Sequence, residues 1–172
     1  VRRLVVTLTL AAALFGGAPA FAQQDQPDRS GDPIIYYDDG HAEMNAAIEA
    51  AQKSAPVFLR LLAADRTVAQ TGAVKIGFPH KDGEEYMWLV ALKRDGDKLT
   101  GRLDNRPEHD VGYAEGDIVA FDADQIVDWY YNRDGRMYGS YTTRVMLPRL
   151  APADADQLRA LLSDKPLEDG RP

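Results

Sequence analysis

The hydrophobic period of this chain changes once, near Thr71, and that change divides it into two regimes. Before it, Met44, Ala47, Ile48 and Ala51 follow helical spacing, and Phe58, Leu61 and Leu62 repeat that spacing after a break. Pro56 would remove a hydrogen bond inside one long helix but suits the first turn of a second. The pattern therefore predicts two short helices, about 42–53 and 56–64, with Ser54 or Ala55 near the second cap. After Thr71 the period is two. Val74, Ile76 and Phe78 alternate with Ala73, Lys75 and Gly77, which describes a strand with one buried face. Lys81-Asp82-Gly83 is a turn signal, and residues 86–92 (YMWLVAL) are apolar on both faces, as a central strand covered on each side would be. Asp95-Gly96 turns the chain into a third strand, in which Leu99, Gly101 and Leu103 alternate with Thr100 and Arg102.

Residues 105–115 have no period and read as a polar loop. Gly116-Asp117 leads into another strand at 118–121. Segments 126–131 and 136–140 flank Asp134-Gly135 and form a second hairpin, which holds the densest run of aromatic residues in the chain. Segment 142–147 fits either a strand or a helical turn. Pro152 opens a C-terminal helix carrying Leu158, Leu161 and Leu162 and ending near Asp164, and residues 165–172 read as a disordered tail. Helices at both ends of a run of strands predict one α+β domain over 41–164. Its sheet is expected to be antiparallel and strongly twisted, with five to six strands.

The first residues bear on compartment. Arg2 and Arg3 precede an apolar run over 4–15, and Ala20-Phe21-Ala22 is a small-x-small cleavage signal. That anatomy predicts a secretory signal peptide over 1–22, cleaved after Ala22, because the run is shorter than the roughly 20 residues a spanning helix needs. Residues 23–40 are polar and rich in proline and glycine, and read as a flexible lead-in, with 34–37 able to add a short edge strand. The chain of 172 residues has no cysteine, so its core must hold the fold without disulfides. Export without disulfides suits a bacterial periplasm or the medium. Its formal charge of −7 would become −9 on cleavage, since residues 1–22 carry two arginines and no acid. Such acidity repels phosphate backbones and anionic headgroups, so neither nucleic acid nor a membrane surface is an expected partner.

A family resemblance rests on motifs spread along the chain. They are Met44-Asn45-Ala46-Ala47-Ile48, Met87-Trp88, Gly101-x-Leu103-Asp104-Asn105-x-Pro107, Gly116-Asp117, Ile126-x-Asp128-Trp129 and Gly139-x-Tyr141-Thr142-x-Arg144. In this order and spacing, over roughly 44–150, they resemble the DUF2314 (YegJ-like) family of bacterial proteins. The resemblance implies a fold and supplies no catalytic residues.

Candidate chemistry is sparse. His41, His80 and His109 show no HxH or HExxH spacing and read as surface residues. The loop 104–110 gathers Asp104, Glu108, His109 and Asp110, an oxygen-rich set suited to a hard cation, though it lacks the glycine placement of an EF-hand. Its Asp104 and Asn105 fit better as backbone-bonding residues that fix the strand exit. Asp128, if buried, needs a partner, and Arg144 is the natural candidate for a bidentate pair tying 142–147 to the sheet. Tyr130, Tyr138 and Tyr141 lie close together across the hairpin and could form a binding surface, while half of the aromatics are expected to fill the core. GxSxG, GxGxxG and P-loop patterns are absent, so no cofactor is expected. The sequence thus favours an exported binding or protein-interaction module. The alternatives are a hydrolase, with or without a metal, using loop 104–110, and an inhibitor-like or immunity-like protein.

Overall fold

A computed structural model describes the backbone at 3–7 and 34–38, and complete residues at 41–96 and 98–167. The cleavage signal at 20–22, most of the lead-in and residues 168–172 lie outside the described residues. Two strands come first in chain order, β1 (Arg3–Thr7) and β2 (Ile34–Asp38), paired antiparallel.

Helix α1 runs unbroken from Ala42 to Ala64, with Pro56 inside it. The predicted break at 54–55 is absent, and burial gives the reason. Pro56 and Gln52 both lie on the exposed face, so the carbonyl that loses its partner is open to water. On the opposite face Ser54 Oγ donates to the Ala50 and Ala51 carbonyls, both at 2.9 Å. The real break comes at Asp65. Its carboxylate accepts from the Thr67 and Val68 amides, capping a short second helix, α2 (Arg66–Thr71), and pairs with Arg133 at 2.6 Å. The Val68 amide is the main reason that the Asp65 carboxyl titrates below its usual range.

Six antiparallel strands follow: β3 (Ala73–His80), β4 (Gly83–Asp95), β5 (Lys98–Leu103), β6 (Ile118–Phe121), β7 (Ile126–Arg133) and β8 (Arg136–Gly139). β3 is paired between β4 and β7, and β8 follows β7. On its other side β4 is shared. β1 lies parallel to Gly83–Tyr86, β5 pairs with the stretch from Leu89 onward, and β6 pairs with β5. With α3 (Tyr141–Met146) and α4 (Pro152–Leu161) after the sheet, the fold is α+β. The ambiguous segment 142–147 is therefore helical for most of its length.

The sheet is covered on both faces. Ala51, Ala55, Phe58 and Leu62 of α1 and Val68 of α2 pack with Val74, Ile76, Met87, Leu89, Trp129 and Tyr131. Phe58 and Trp129 stack at 5.1 Å, and the Trp129 indole donates to the Ala51 carbonyl at 3.1 Å. The other face was expected to meet solvent along β3, but Ala73 and Lys75 are buried there. Ala73, Trp88, Tyr130, Met137 and Leu162 form a second cluster on that face. A bulge in β7 is part of the reason. Lys75 pairs with Asp128 but Ile76 pairs with Ile126, leaving Val127 as the extra residue. Ile126 thereby joins Trp129 on the α1 face, while Asp128 and Tyr130 face the other way.

Residues 163–167 are also held against the sheet, where a free tail was expected from 165. Ser163 N donates to the Met137 carbonyl, Gly139 N donates to the Pro166 carbonyl, and Leu167 packs against the core. This strap closes the outer edge of β8.

Candidate functional site

Asp128 is fully buried, and its carboxylate accepts four bonds: Trp129 N at 2.8 Å, Tyr141 N at 3.1 Å, Thr142 N at 2.8 Å and Thr142 Oγ1 at 2.6 Å. Two of these amides open α3, so a strand carboxylate caps a helix that has no capping side chain of its own. Lys75, directly across the ladder from Asp128, donates to Thr142 Oγ1 at 2.9 Å and lies 4.5 Å from the Trp88 ring centre. One hydroxyl therefore joins the two charges. Burial pulls the Lys75 ammonium down to about 8, against the opposing pull of Asp128. Burial likewise raises the Asp128 carboxyl, opposed by Lys75 and by the bonds from Thr142 and the Trp129 amide. Every contact to Asp128 is a donor, as an ionised carboxylate requires.

The expected Asp128–Arg144 pair is not the tie that forms. Arg144 donates instead to the Gly139 carbonyl and to the Ser163 carbonyl and hydroxyl, joining α3 to the C-terminal strap. Burial lowers the guanidinium, with Asp128 acting on it only as a neighbouring charge. The tyrosines do not make one exposed face. Tyr130 is buried edge-on against Trp88, Tyr138 stacks on Tyr131 at 5.1 Å, and half-buried Tyr141 meets Trp129 edge-on. Desolvation raises the Tyr141 phenol. Strand alternation places Tyr130 opposite to Tyr131, which is why sequence proximity misleads.

Loop 104–117 is braced against the sheet. Asn105 Oδ1 receives the Trp88 amide at 2.7 Å, and Asp104 N donates to the Trp88 carbonyl at 2.9 Å. These two residues extend the edge of β4 beyond β5, in the backbone role expected of them. Glu85, fully buried, accepts from the Glu108 and His109 amides and from His109 Nδ1 at 3.2 Å. The carboxylate can only accept, so Nδ1 carries the proton. The His109 ring stacks on His80 at 3.9 Å, and Tyr113 meets Phe78 edge-on. Glu85 carried no sequence signal, since it falls between Glu84 and the apolar run that begins at Tyr86. Asp104 turns to Arg102 at 3.4 Å and Asp110 accepts from Gly112 N, so the loop's carboxylates face different ways. Among the described residues no three His, Asp or Glu side chains converge as metal ligands.

The braced loop delivers the chain into β6, whose outer side no described strand pairs. Leu103 N donates to the Asp117 carbonyl, and the register sets Gly101 opposite Val119 and Arg102 opposite Ile118. By antiparallel alternation Asp117, Val119 and Phe121 bond toward β5, while the amides and carbonyls of Ile118 and Ala120 face outward. Ile118 is 65% exposed, and Tyr113, at the loop end, is 44% exposed. Among the described residues Ile118 is the most exposed of the large apolar ones, and it stands beside an open backbone row. The turn signal before 118–121 revealed the strand, but nothing in the sequence revealed which edge stays open.

An α+β domain with a sheet covered on both faces and an acidic edge at β6 that no described strand pairs is the class the geometry defines. The chain belongs to the DUF2314 family, described as an uncharacterized protein conserved in bacteria, whose pattern matches residues 41–162. Its curated relatives include a putative ankyrin repeat protein of Neisseria meningitidis serogroup B, 32% identical over 125 residues. That match takes in 67% of this chain and 49% of the Neisseria protein, so the chain spans about half of that relative. Another is YegJ of Escherichia coli K12, 29% identical over 119 residues, covering 69% of this chain and 76% of YegJ. No solved structure gives a significant match.

Proposed function

We propose that this chain is an exported protein-interaction module that receives a partner by strand addition at β6. The observation that carries it is the outward row of backbone groups at Ile118 and Ala120 beside an exposed isoleucine. Unpaired edges bind extended segments through main-chain hydrogen bonds, with side-chain contacts setting specificity. Export is argued from the sequence pattern over 1–22 alone, since in the structure residues 3–7 of that segment pair with β2 and β4 as β1, and the acidity of the chain argues against nucleic acid and anionic membrane as partners. Among the described residues no helix is long and apolar enough to cross a membrane. An inhibitor-like or immunity-like role would use the same edge against an enzyme.

Amide exchange on the full chain tests the reading. Val119 and Phe121, bonded to β5, should exchange orders of magnitude more slowly than Ile118 and Ala120. Slow exchange at all four positions in the free protein would mean that the edge is already paired, and the reading would fail.

A second reading, hydrolysis at loop 104–110, has one observation in its favour. Glu85 orients His109 through Nδ1, as a carboxylate orients a catalytic base. Loss of a measured ester or phosphoester hydrolysis in a folded His109→Ala protein would support it; unchanged turnover would end it.

A further inference from the structure

We infer that the segment docking on β6 is a basic, extended stretch of a partner protein, carrying cationic side chains about five residues apart around an apolar centre. This rests on the strand-addition reading and adds the chemistry of the partner.

The usable edge is short. Its outward groups belong to Ile118 and Ala120, and the row stops at Asp122, whose amide is already taken by Gln125 Oε1 at 2.7 Å. At the other end Asp117 Oδ2 accepts the Ala114 amide at 2.8 Å and closes the loop. An incoming strand therefore finds roughly one pair of rungs, and main-chain bonds alone would hold it weakly. Further attraction has to come from side chains. Ile118 and Ala120 lie on the exposed outer face, while Val119 and Phe121 point into the core, so an apolar side chain on the incoming strand would cover Ile118.

Charge selects the rest. Exposed Glu115 and Asp117 stand at one end of the edge and exposed Asp122 and Asp124 at the other. No lysine or arginine occurs between Arg106 and Arg133. On the neighbouring strand Arg102 is engaged by Asp104, and exposed Lys98, beside the Leu99–Phe121 pair, offsets only the Asp122 end. Asp117 and Asp122 are separated by roughly 17 Å of strand, which fits two cations spaced five residues apart. A second copy of this chain would bring the same acids face to face, and an acidic or phosphorylated segment would be repelled. A basic segment fits where these do not.

The experiment uses the isotope-labelled full chain and two synthetic peptides, Lys-Thr-Val-Thr-Val-Lys and its counterpart with glutamate at both ends, titrated at low salt. The lysine peptide should perturb the amides of Ile118 and Ala120 and bind about tenfold more tightly than the glutamate peptide. Its advantage should shrink with added salt and in Asp117→Asn and Asp122→Asn proteins. Ala120→Pro should abolish it, because proline removes an outward amide while leaving the bonds to β5 intact. Equal binding of both peptides at β6 would overturn the basic-partner inference and leave strand addition standing. No response from Ile118 and Ala120 to either peptide would overturn both, and so would binding that survives Ala120→Pro. Self-association through β6 without peptide would also overturn the inference.

Discussion

At the scale of single residues, the most consequential chemistry is the buried Lys75–Thr142–Asp128 chain. Thr142→Val keeps the shape of the side chain and removes the hydroxyl, leaving a buried ammonium and carboxylate each short of a partner. It should cost about 2–3 kcal/mol, against less than about 1 for Thr142→Ser, by urea unfolding. Lys75 also makes stability depend on pH. Its folded value of about 8 lies below the unfolded 10.5, so the folded state releases this proton first. The burial penalty is complete below pH 8 and fades as pH rises toward 10.5, so this residue raises stability across that window. The wild type should gain up to about 3 kcal/mol relative to Lys75→Met between pH 7 and 10.5. A stability gap that stays constant with pH would refute the assignment. Asp128 was recognisable as a residue in need of a partner if buried, but its partners were not. Lys75 sits in an alternating strand that reads as half-solvated, and only the bulge and the overlying helix reveal it as buried.

At the scale of elements, helix α1 shows a proline tolerated where sequence rules place a break. Pro56 and Gln52, whose carbonyl loses its helical partner, are both exposed, so no buried contact depends on the ring. Pro56→Ala should therefore stabilise the fold, by about 1–3 kcal/mol in thermal or urea unfolding. A loss of stability would mean that the ring makes a contact the packed face requires. The strands were more legible than the helices, because two-residue alternation and the Asp-Gly turns at 95–96 and 134–135 fix both hairpins locally. The helix break was less legible, since Asp65, whose Oδ1 caps α2, is also held through Oδ2 by Arg133, 68 positions away. The loop 104–110 was singled out for its carboxylates and imidazole. Its brace, Glu85, lies on another strand, and no local spacing could have joined the two.

At the scale of the whole molecule, the two faces of the sheet are closed by opposite ends of the chain. Removing residues 163–172 would strip the partners of Gly139 N, the Met137 carbonyl and the Arg144 guanidinium. It should cost about 3–5 kcal/mol in urea unfolding, from roughly four hydrogen bonds and a half-buried cation left with the Gly139 carbonyl alone. An unchanged midpoint would show the strap to be dispensable. The sequence by itself determined the α+β class, a run of five to six antiparallel strands after Thr71, the C-terminal helix and the family, because alternation, turn chemistry and motif order are local properties. The tertiary structure decided which residues share a face, which charges are buried together and which edge stays open. Those depend on one bulge at Val127, on a helix laid across the second face and on strand order, each set by contacts between residues far apart in the chain.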